Sequence, residues 1–158
     1  MQFDATLLNR LFRYGFAFTM QREAALDLVQ QACEKALKQP PDDKRKLEAY
    51  LKVIVRRLYL DGWRQQQQYP LELFTETEVV DDEASIEQLM VDQQQLSRLM
   101  PMLSPQQREL IYLWAVEGWT IDEIAEQLGE PRGTLLARLR RVREQLSRLP
   151  EESYGVSR

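Results

Sequence analysis

The sequence predicts an all-α protein in which an acidic linker joins two small helical domains, a three-helix bundle and a helix-turn-helix. Composition supports this fold class, because charged residues make up 29% of the chain and only 6 of its 158 residues are glycine. Apolar residues recur at helical spacing on both sides of residues 69–85, which have no such period. The two domains are therefore expected at residues 1–68 and 101–150.

Charge divides the chain in the same way as the hydrophobic pattern. Residues 1–68 hold 12 basic and 8 acidic side chains, residues 69–103 hold 1 and 8, and residues 104–158 hold 8 and 9. The net charge of −4 therefore comes from the middle of the chain and does not exclude nucleic-acid binding by the flanking segments. Residues 69–100 are assigned as an acidic linker that includes a short helix, and residues 151–158 as a tail.

Three helices are predicted in the first domain, at about residues 4–18, 21–38 and 44–67. Pro40-Pro41 ends the second helix, since proline cannot continue one. One face of this helix consists of small and apolar residues that suit close packing. The polar residues on its far side are Asp27, Gln30, Gln31 and Glu34. Such a face is either simply solvated or a docking surface for a protein partner.

The third helix of this domain combines an apolar stripe with a basic and aromatic face. Its apolar stripe consists of Leu47, Leu51, Ile54 and Leu58. The opposite face, at spacings of 4, 3 and 4 residues, consists of Lys52, Arg56, Tyr59 and Trp63. Basic side chains hold phosphates and aromatic rings stack on unpaired bases, so this face is typical of binding to single-stranded or melting DNA. The alternative is that Tyr59 and Trp63 pack against the first helix or the linker.

The C-terminal domain carries clear signals for where its helices begin and end. Ser104 provides an N-cap hydroxyl before Pro105, and Thr120 with Glu123 forms a capping box that opens the next helix. Gly129 is able to adopt the left-handed conformation of the turn before the last helix. The last two helices are therefore predicted to form a helix-turn-helix.

The last helix is rich in arginine. At about 100° per residue, its apolar stripe consists of Leu135, Leu139, Val142, Leu146 and Leu149. The opposite face consists of Ala137, Arg140, Arg141, Glu144 and Arg148, with Arg138 and Arg143 at the flanks. A recognition helix in a major groove has this layout, because arginine can donate two bonds to guanine and can also hold phosphates. A solvated, charged helix is the alternative, but six arginines after a capped turn favour DNA.

The sequence argues against several classes of chemistry. It has no histidine and one cysteine, Cys33, so an internal disulfide, a site of His or Cys metal ligands and a Cys-His nucleophile pair are not expected. No glycine-rich phosphate loop is visible, and we expect no cofactor, no metal and no catalysis. The N-terminus has no long apolar run, so neither a signal peptide nor a membrane span is expected, and the protein is expected to be cytoplasmic.

Three stretches of the chain carry motifs of one family. They are AALDLVQQACEKAL from Ala24, LEAYLKVIVRRLYLDGWRQ from Leu47, and the stretch from Leu103 to Leu146. In this order they resemble the core-binding helix, the promoter-melting helix and the minus-35-binding domain of the extracytoplasmic-function (ECF) sigma factors of bacterial RNA polymerase. The usual family patterns are A-x-D-L-V-Q-E for the first and I-A-R-N-x-x-x-D-x-x-R for the second. The resemblance covers nearly the whole chain and implies a specificity subunit rather than an enzyme.

The resemblance also implies partners and contact residues. The first domain would dock on the clamp helices of the largest polymerase subunit through Asp27, Gln30, Gln31 and Glu34. The implied minus-10 residues, with the loop at 40–47, are Lys52, Arg56, Arg57, Tyr59, Trp63 and Arg64. The second domain would sit on the flap of the second largest subunit, and its implied minus-35 residues are Arg132, Thr134, Leu136, Ala137, Arg138, Arg140 and Arg141. The linker would thread toward the active-site channel, and an anti-sigma factor is expected as a regulator.

The chain departs from the family pattern at some of these contacts. Gln31 stands where the family usually has Glu, so one core-binding charge is missing. Leu136 and Ala137 replace the usual Lys or Arg and Ser of the recognition helix. This implies either an altered minus-35 preference, with apolar contact to thymine methyls, or weaker DNA binding that Arg140 compensates. No C-terminal regulatory extension is expected.

Two other functions remain open from the sequence. A stand-alone helix-turn-helix regulator that has lost polymerase docking would account for Gln31 and Leu136. A helical protein-interaction adaptor would bind its partners without the steep salt dependence of phosphate contacts. Binding to core polymerase separates the regulator from a sigma factor, and salt dependence separates the adaptor from both.

Overall fold

A computed structural model of the chain describes residues 3–67 and 93–148, and the regular structure within these ranges is helical. The prediction of an all-α fold is therefore confirmed for the described part. The chain divides into two compact units, Met1–Phe74 and Thr75–Arg158. Most of the predicted linker, and the predicted tail, fall outside the described residues.

Three long helices form the first unit: α1 (Ala5–Thr19), α2 (Arg22–Lys38) and α3 (Leu47–Gln67). Each of them contacts the other two. Met20 closes α1 in the left-handed conformation, with a φ of 57°. A short 3-10 helix, Lys44–Lys46, leads from the loop after α2 directly into α3. The three-helix bundle expected for this part of the chain is therefore present.

The core of the first unit is built from alanines of α2 and larger residues of α1 and α3. Ala25, Ala32 and Ala36 are fully buried, which confirms the predicted packing face of α2. The large residues buried with them include Leu11, Tyr14, Phe18, Leu51 and Val55. Each fully buried Leu, Val or Phe side chain contributes about 1.5–3 kcal/mol relative to leaving it in water, so this cluster dominates the stability of the unit.

The face of α3 that packs in the bundle differs from the predicted stripe. Leu51 is buried as predicted. The other three members of the stripe are only half-buried, and they are Leu47, Ile54 and Leu58. Lys52 and Val55 are buried beside Leu51 instead. The helix is therefore turned so that part of the predicted basic and aromatic face points into the bundle.

The second unit has four α-helices within the described residues. They are α4 (Gln93–Leu99), α5 (Pro105–Ile111), α6 (Ile121–Leu128) and α7 (Arg132–Ser147). A 3-10 helix, Met100–Met102, follows α4, and a π-helical turn, Tyr112–Val116, continues α5. Because α7 contacts α4, α5 and α6, the last helix is the centre of this unit.

The predicted start and stop signals of the second unit are confirmed. The hydroxyl of Ser104 accepts a hydrogen bond from the N–H of Gln107 at 3.2 Å, and the Gln107 amide oxygen accepts one from the N–H of Ser104 at 2.9 Å. Thr120 and Glu123 form the same reciprocal pair at 3.1 and 2.9 Å. Gly129 follows α6 with a φ of 67°. The Ser104 box opens α5, while the Thr120 box and the Gly129 turn define the helix-turn-helix of α6 and α7.

The left-handed backbone at Gly129 predicts opposite effects for two glycine substitutions. Gly129→Ala is expected to lower the free energy of unfolding of the second unit by about 1 kcal/mol, because alanine is strained at this φ. Gly133→Ala, in α7, is expected to raise it by up to about 1 kcal/mol, since a Cβ there meets nothing within 4 Å. Urea denaturation of the full chain, followed by circular dichroism, measures both. A stabilising effect of Gly129→Ala would contradict this account of the turn.

Candidate nucleic-acid and partner interfaces

The polar face of α2 lies at the surface and is internally paired. Asp27, Gln30 and Glu34 are exposed, and Gln31 is half-buried. The Gln31 amide donates a hydrogen bond to the Asp27 carboxylate at 2.9 Å, and the Gln30 amide donates one to Glu34 at 3.3 Å. These pairs, each four residues apart, order the side chains along one side of the helix. The face therefore presents two carboxylates and two amides together.

Lys52 lies in the bundle and not on a nucleic-acid face. Its side chain is 3% exposed, and its ammonium is 3.4 Å from a Glu48 oxygen and 5.6 Å from the centre of the Tyr14 ring. The other Glu48 oxygen accepts a hydrogen bond from Arg10 of α1 at 3.0 Å. The apolar stem of the lysine fills space between helices, while the carboxylate and the ring stabilise its charge. The prediction that Lys52 contacts DNA is therefore wrong.

Two aromatic residues of α3 contribute to a cavity in the first unit. The Tyr59 ring stacks on Phe18 of α1, with 5.1 Å between ring centres and 25° between ring planes. For Tyr59, the alternative of packing against the first helix is therefore correct. Tyr59 and Trp63 line a cavity of about 510 Å³, and Asp27 and Gln31 of α2 line the same cavity. The structure thus brings together residues that the sequence assigned separately to DNA and to a protein partner.

The loop before α3 carries a basic cluster whose individual residues the site prediction missed. All residues of Lys44–Lys46 are exposed. The Asp43 carboxylate accepts hydrogen bonds from the Arg45 guanidinium at 3.2 Å and from the Arg45 N–H at 3.0 Å, and these bonds hold the pKa of Asp43 below its ordinary value. The Tyr50 hydroxyl of α3 donates to the carbonyl of Gln39 and ties the loop to the bundle. The sequence signal for this cluster is the run K-R-K itself.

The arginines predicted on α3 have different surroundings. Arg57 is exposed and Arg56 is half-buried, while the side chain of Arg64 lies outside the described residues. An exposed guanidinium is accessible to a phosphate without any rearrangement of the bundle. Arg57 and the basic cluster at Lys44–Lys46 are therefore the exposed cations of α3 and its preceding loop that the structure describes.

Three residues that the sequence placed on or beside the outward side of α7 are buried. Leu136 is 7% exposed, Ala137 1% and Arg138 3%. The prediction assumed that a single side of α7 packs on the domain, whereas α7 contacts three other helices of its unit. A helix with three neighbours is covered on more than one side, and residues 135–139 are all buried. The prediction that these three side chains contact DNA is not compatible with their placement.

Arg138 holds the helix-turn-helix together instead. Its guanidinium donates two hydrogen bonds to the Glu130 carboxylate, at 2.9 and 3.2 Å. Glu130 lies in the turn between α6 and α7. A bidentate pair at this position restrains the direction in which α7 leaves the turn. A second pair, from Arg132 to Asp122 at 2.8 Å, joins the beginnings of the same two helices nearer the surface.

The accessible part of α7 is its beginning and part of its arginine-rich side. Gly133 is exposed, and Arg132 and Thr134 are half-buried at the start of the helix. Arg140 and Arg141 are half-buried further along. In a helix-turn-helix, the N-terminal residues of the second helix contact the edges of bases in the major groove. The accessible residues of α7 therefore suit this mode of DNA binding.

The two units match two regions of one protein family. Residues 5–69 match the family model described as Sigma-70 region 2, and residues 93–146 match Sigma-70, region 4. The chain is also similar to a solved structure, the sigma factor RpoE in complex with the anti-sigma factor NepR from Bartonella quintana. That similarity has a TM-score of 0.62 at 25% identity and covers 97% of this chain and 94% of that chain. The chain belongs to the ECF sigma factors of bacterial RNA polymerase.

This assignment confirms the family resemblance and gives each unit a role. Helices α1 to α3 form region 2 of the sigma factor, and helices α4 to α7 form region 4. A sigma factor is a transcription initiation factor that binds core RNA polymerase and directs it to promoter DNA. Because both regions occur in one chain, nothing supports the alternative of a stand-alone regulator.

Three further observations bear on the chemistry of the sigma factor. Cys33 is a free thiol, half-buried in α2, and burial raises its pKa, so it is protonated at neutral pH. Within residues 3–67 and 93–148, no group of His, Cys, Asp and Glu side chains is placed to hold a metal ion. Among the helices of these same ranges, none combines the length and the apolar composition that crossing a membrane requires.

Removing the charge of Glu130 is expected to destabilise region 4. Glu130→Gln leaves the buried Arg138 guanidinium with a neutral partner, and breaking a fully buried pair costs about 3–5 kcal/mol. The Glu130 side chain is 23% exposed, so after solvent screening a loss of roughly 2 kcal/mol in unfolding free energy is expected. Glu126→Gln, an exposed acid of α6, is the control and is expected to cost less than about 0.5 kcal/mol. Equal losses in urea denaturation would contradict a stabilising role for the pair.

Proposed function

We propose that the exposed face of α2 docks this sigma factor on the clamp helices of the largest polymerase subunit. The polar groups of the face are Asp27, Gln30, Gln31 and Glu34. Leu26 and Leu37, on the same helix, are exposed apolar residues. They are eleven residues apart, about three helical turns, and therefore lie on one line along the helix. An apolar line flanked by polar groups has the composition of a protein interface.

The minus-10 contacts are assigned to the loop before α3 and to arginines of that helix. The basic cluster at Lys44–Lys46 and the guanidinium of Arg57 are exposed cations. Arg56 and Arg64 add to the positive charge of the same helix. Lysine and arginine bind the strand through its phosphates, and the counterions released from the DNA make this binding salt-dependent. Lys52 does not belong to this set because its ammonium is buried.

The minus-35 contacts are assigned to the accessible residues of α7, with region 4 seated on the flap of the second largest subunit. Arg132 and Thr134 would contact base edges at the start of the helix, and Arg140 and Arg141 would hold phosphates. Leu136 and Ala137 are buried. We infer that these two departures from the family pattern serve packing, and that they do not create new contacts with thymine.

Regulation by an anti-sigma factor is proposed from similarity. The related Bartonella quintana structure is a complex of a sigma factor with an anti-sigma factor. We infer that a protein of this class also holds the present chain inactive by covering its polymerase-docking surfaces.

The acidic segment between the regions is proposed to thread toward the active-site channel of polymerase, since negative charge suits a channel that binds nucleic acid.

The observation that carries the proposed function is the occurrence of region 2 and region 4 in one chain. The direct test adds the purified chain to core RNA polymerase and a pool of genomic fragments, and then sequences the 5′ ends of the transcripts. New start sites that depend on the chain are expected to share sequence elements near minus 10 and minus 35. A chain that does not bind core polymerase would not be a sigma factor.

The basic cluster predicts a specific defect in the same system. Lys44→Gln combined with Lys46→Gln is expected to leave core binding unchanged and to weaken binding of the opened strand. Each phosphate contact with single-stranded DNA contributes about 0.7 to the slope of log K against log salt, so a slope shallower by about 1.4 is expected. Arg13→Gln, an exposed arginine of α1, is the control and should keep the original slope. An unchanged slope in the double variant would remove the loop from the DNA contacts.

A further inference from the structure

The beginning of α7 is joined to the beginning of α6 by an ion pair at the surface. The guanidinium of Arg132 donates a hydrogen bond to the Asp122 carboxylate at 2.8 Å. The Arg132 side chain is 34% exposed and that of Asp122 is 76% exposed. The capping box of Thr120 and Glu123 fixes the backbone on both sides of Asp122. The carboxylate is therefore attached to a well-defined turn of helix.

This surface pair contributes little to the stability of region 4. Ion pairs between exposed side chains have small net effects, because water screens the charges and two long side chains lose freedom. The turn between α6 and α7 is already held by the more buried, bidentate pair of Arg138 and Glu130. What the surface pair determines is the direction in which the Arg132 guanidinium points.

Few side chains are accessible near the beginning of α7. From residue 132 to residue 139, they are those of Arg132 and Thr134, since residues 135–139 are buried and Gly133 has no side chain. A threonine hydroxyl bonds to several bases, whereas arginine selects guanine by donating two bonds to its O6 and N7 atoms. In this chain, base selection by the first two turns of α7 therefore depends mainly on Arg132.

A carboxylate beside the guanidinium favours a base over a phosphate. It restricts the rotamers of a long side chain, and ordering such a side chain only on binding lowers the affinity by about two- to tenfold. It also brings the net charge of the pair to zero, so the pair is attracted to the DNA backbone less strongly than a lone arginine. Arginine has five N–H donors, which are enough to bond a carboxylate and a guanine together.

We propose that Asp122 is a positioning residue for the minus-35 element. It holds Arg132 toward the edge of a guanine in the major groove and away from the phosphates, and it acts on base selection through Arg132. The inference rests on the proposed role of α7 in minus-35 binding. It assigns to this chain a preference for guanine at one position of the element, and it extends the recognition surface from α7 to α6.

The test measures the base preference of the holoenzyme. The full chain, original or variant, is assembled with core RNA polymerase and bound to duplexes of a promoter that the original chain uses. Each base pair of the minus-35 element is replaced in turn by the other three, and competition binding gives the relative affinities. The original chain is expected to prefer guanine by about fivefold or more at one position, and Arg132→Ala is expected to abolish this preference.

Asp122→Asn is expected to reduce the guanine preference by about two- to tenfold and to leave the other positions unchanged. Because Arg132 is then released to bind a phosphate, affinity for a duplex without promoter elements is expected to rise. The slope of log K against log salt is expected to steepen by up to about 0.9. In the Arg132→Ala background, Asp122→Asn is expected to have no effect on base preference.

Glu126→Gln is the matched control, because it also removes one exposed acid of α6. It is expected to keep the guanine preference of the original chain. Circular dichroism checks that each variant is folded.

The outcomes distinguish this inference from the proposed function. If the original holoenzyme selects a minus-35 element but Asp122→Asn leaves every preference unchanged, or weakens binding to all duplexes by one factor, the pair is a structural contact and the inference is overturned. A stronger guanine preference in Asp122→Asn, or unchanged preferences in Arg132→Ala, would overturn it as well. If the original holoenzyme selects no element near minus 35, the proposed function of region 4 itself fails.

Discussion

Lys52 in the first unit and Arg138 in the second are interior cations, each with a side chain that is 3% exposed. Small helical units have little apolar volume to bury, and the long stems of basic residues add to it. The charge at the end of each stem is tolerated because Glu48 or Glu130 lies against it. In both units the pair also joins separate elements. Glu48 links α3 to α1 through a second cation, and Glu130 links the turn to α7.

These pairs lie beside the surfaces that are proposed to bind DNA. Glu48 pairs with Arg10 of α1 and with Lys52 of its own helix, and both contacts lie close to the loop before α3. The pair at Glu130 restrains α7 in the turn, so the accessible start of the recognition helix is presented by a rigid corner. Two weak binding units on one chain gain affinity together through effective concentration.

How far the sequence could predict the structure depended on the distance between the interacting residues. The capping boxes and the turn at Gly129 were predictable, because their determinants lie within a few residues of one another. The orientation of α3 and α7 was not, because it depends on neighbours far along the chain. Arg10 and Glu48, for example, are 38 residues apart. Basic side chains were assumed to face outward, and the buried side chains of Lys52 and Arg138 show that packing between helices reverses this assumption. The cavity was unpredictable for the same reason, since Asp27 and Trp63 line the same space only after folding.

Helix α3 can bind two partners at once only if they contact different sides of the helix. Six residues separate Arg57 from Trp63, which is about 600° along the helix and places them about 120° apart around its axis. Arg57 is exposed, whereas Trp63 lines the cavity beside α2. The side of α3 that lines the cavity is therefore separate from the exposed basic side that is proposed to bind DNA.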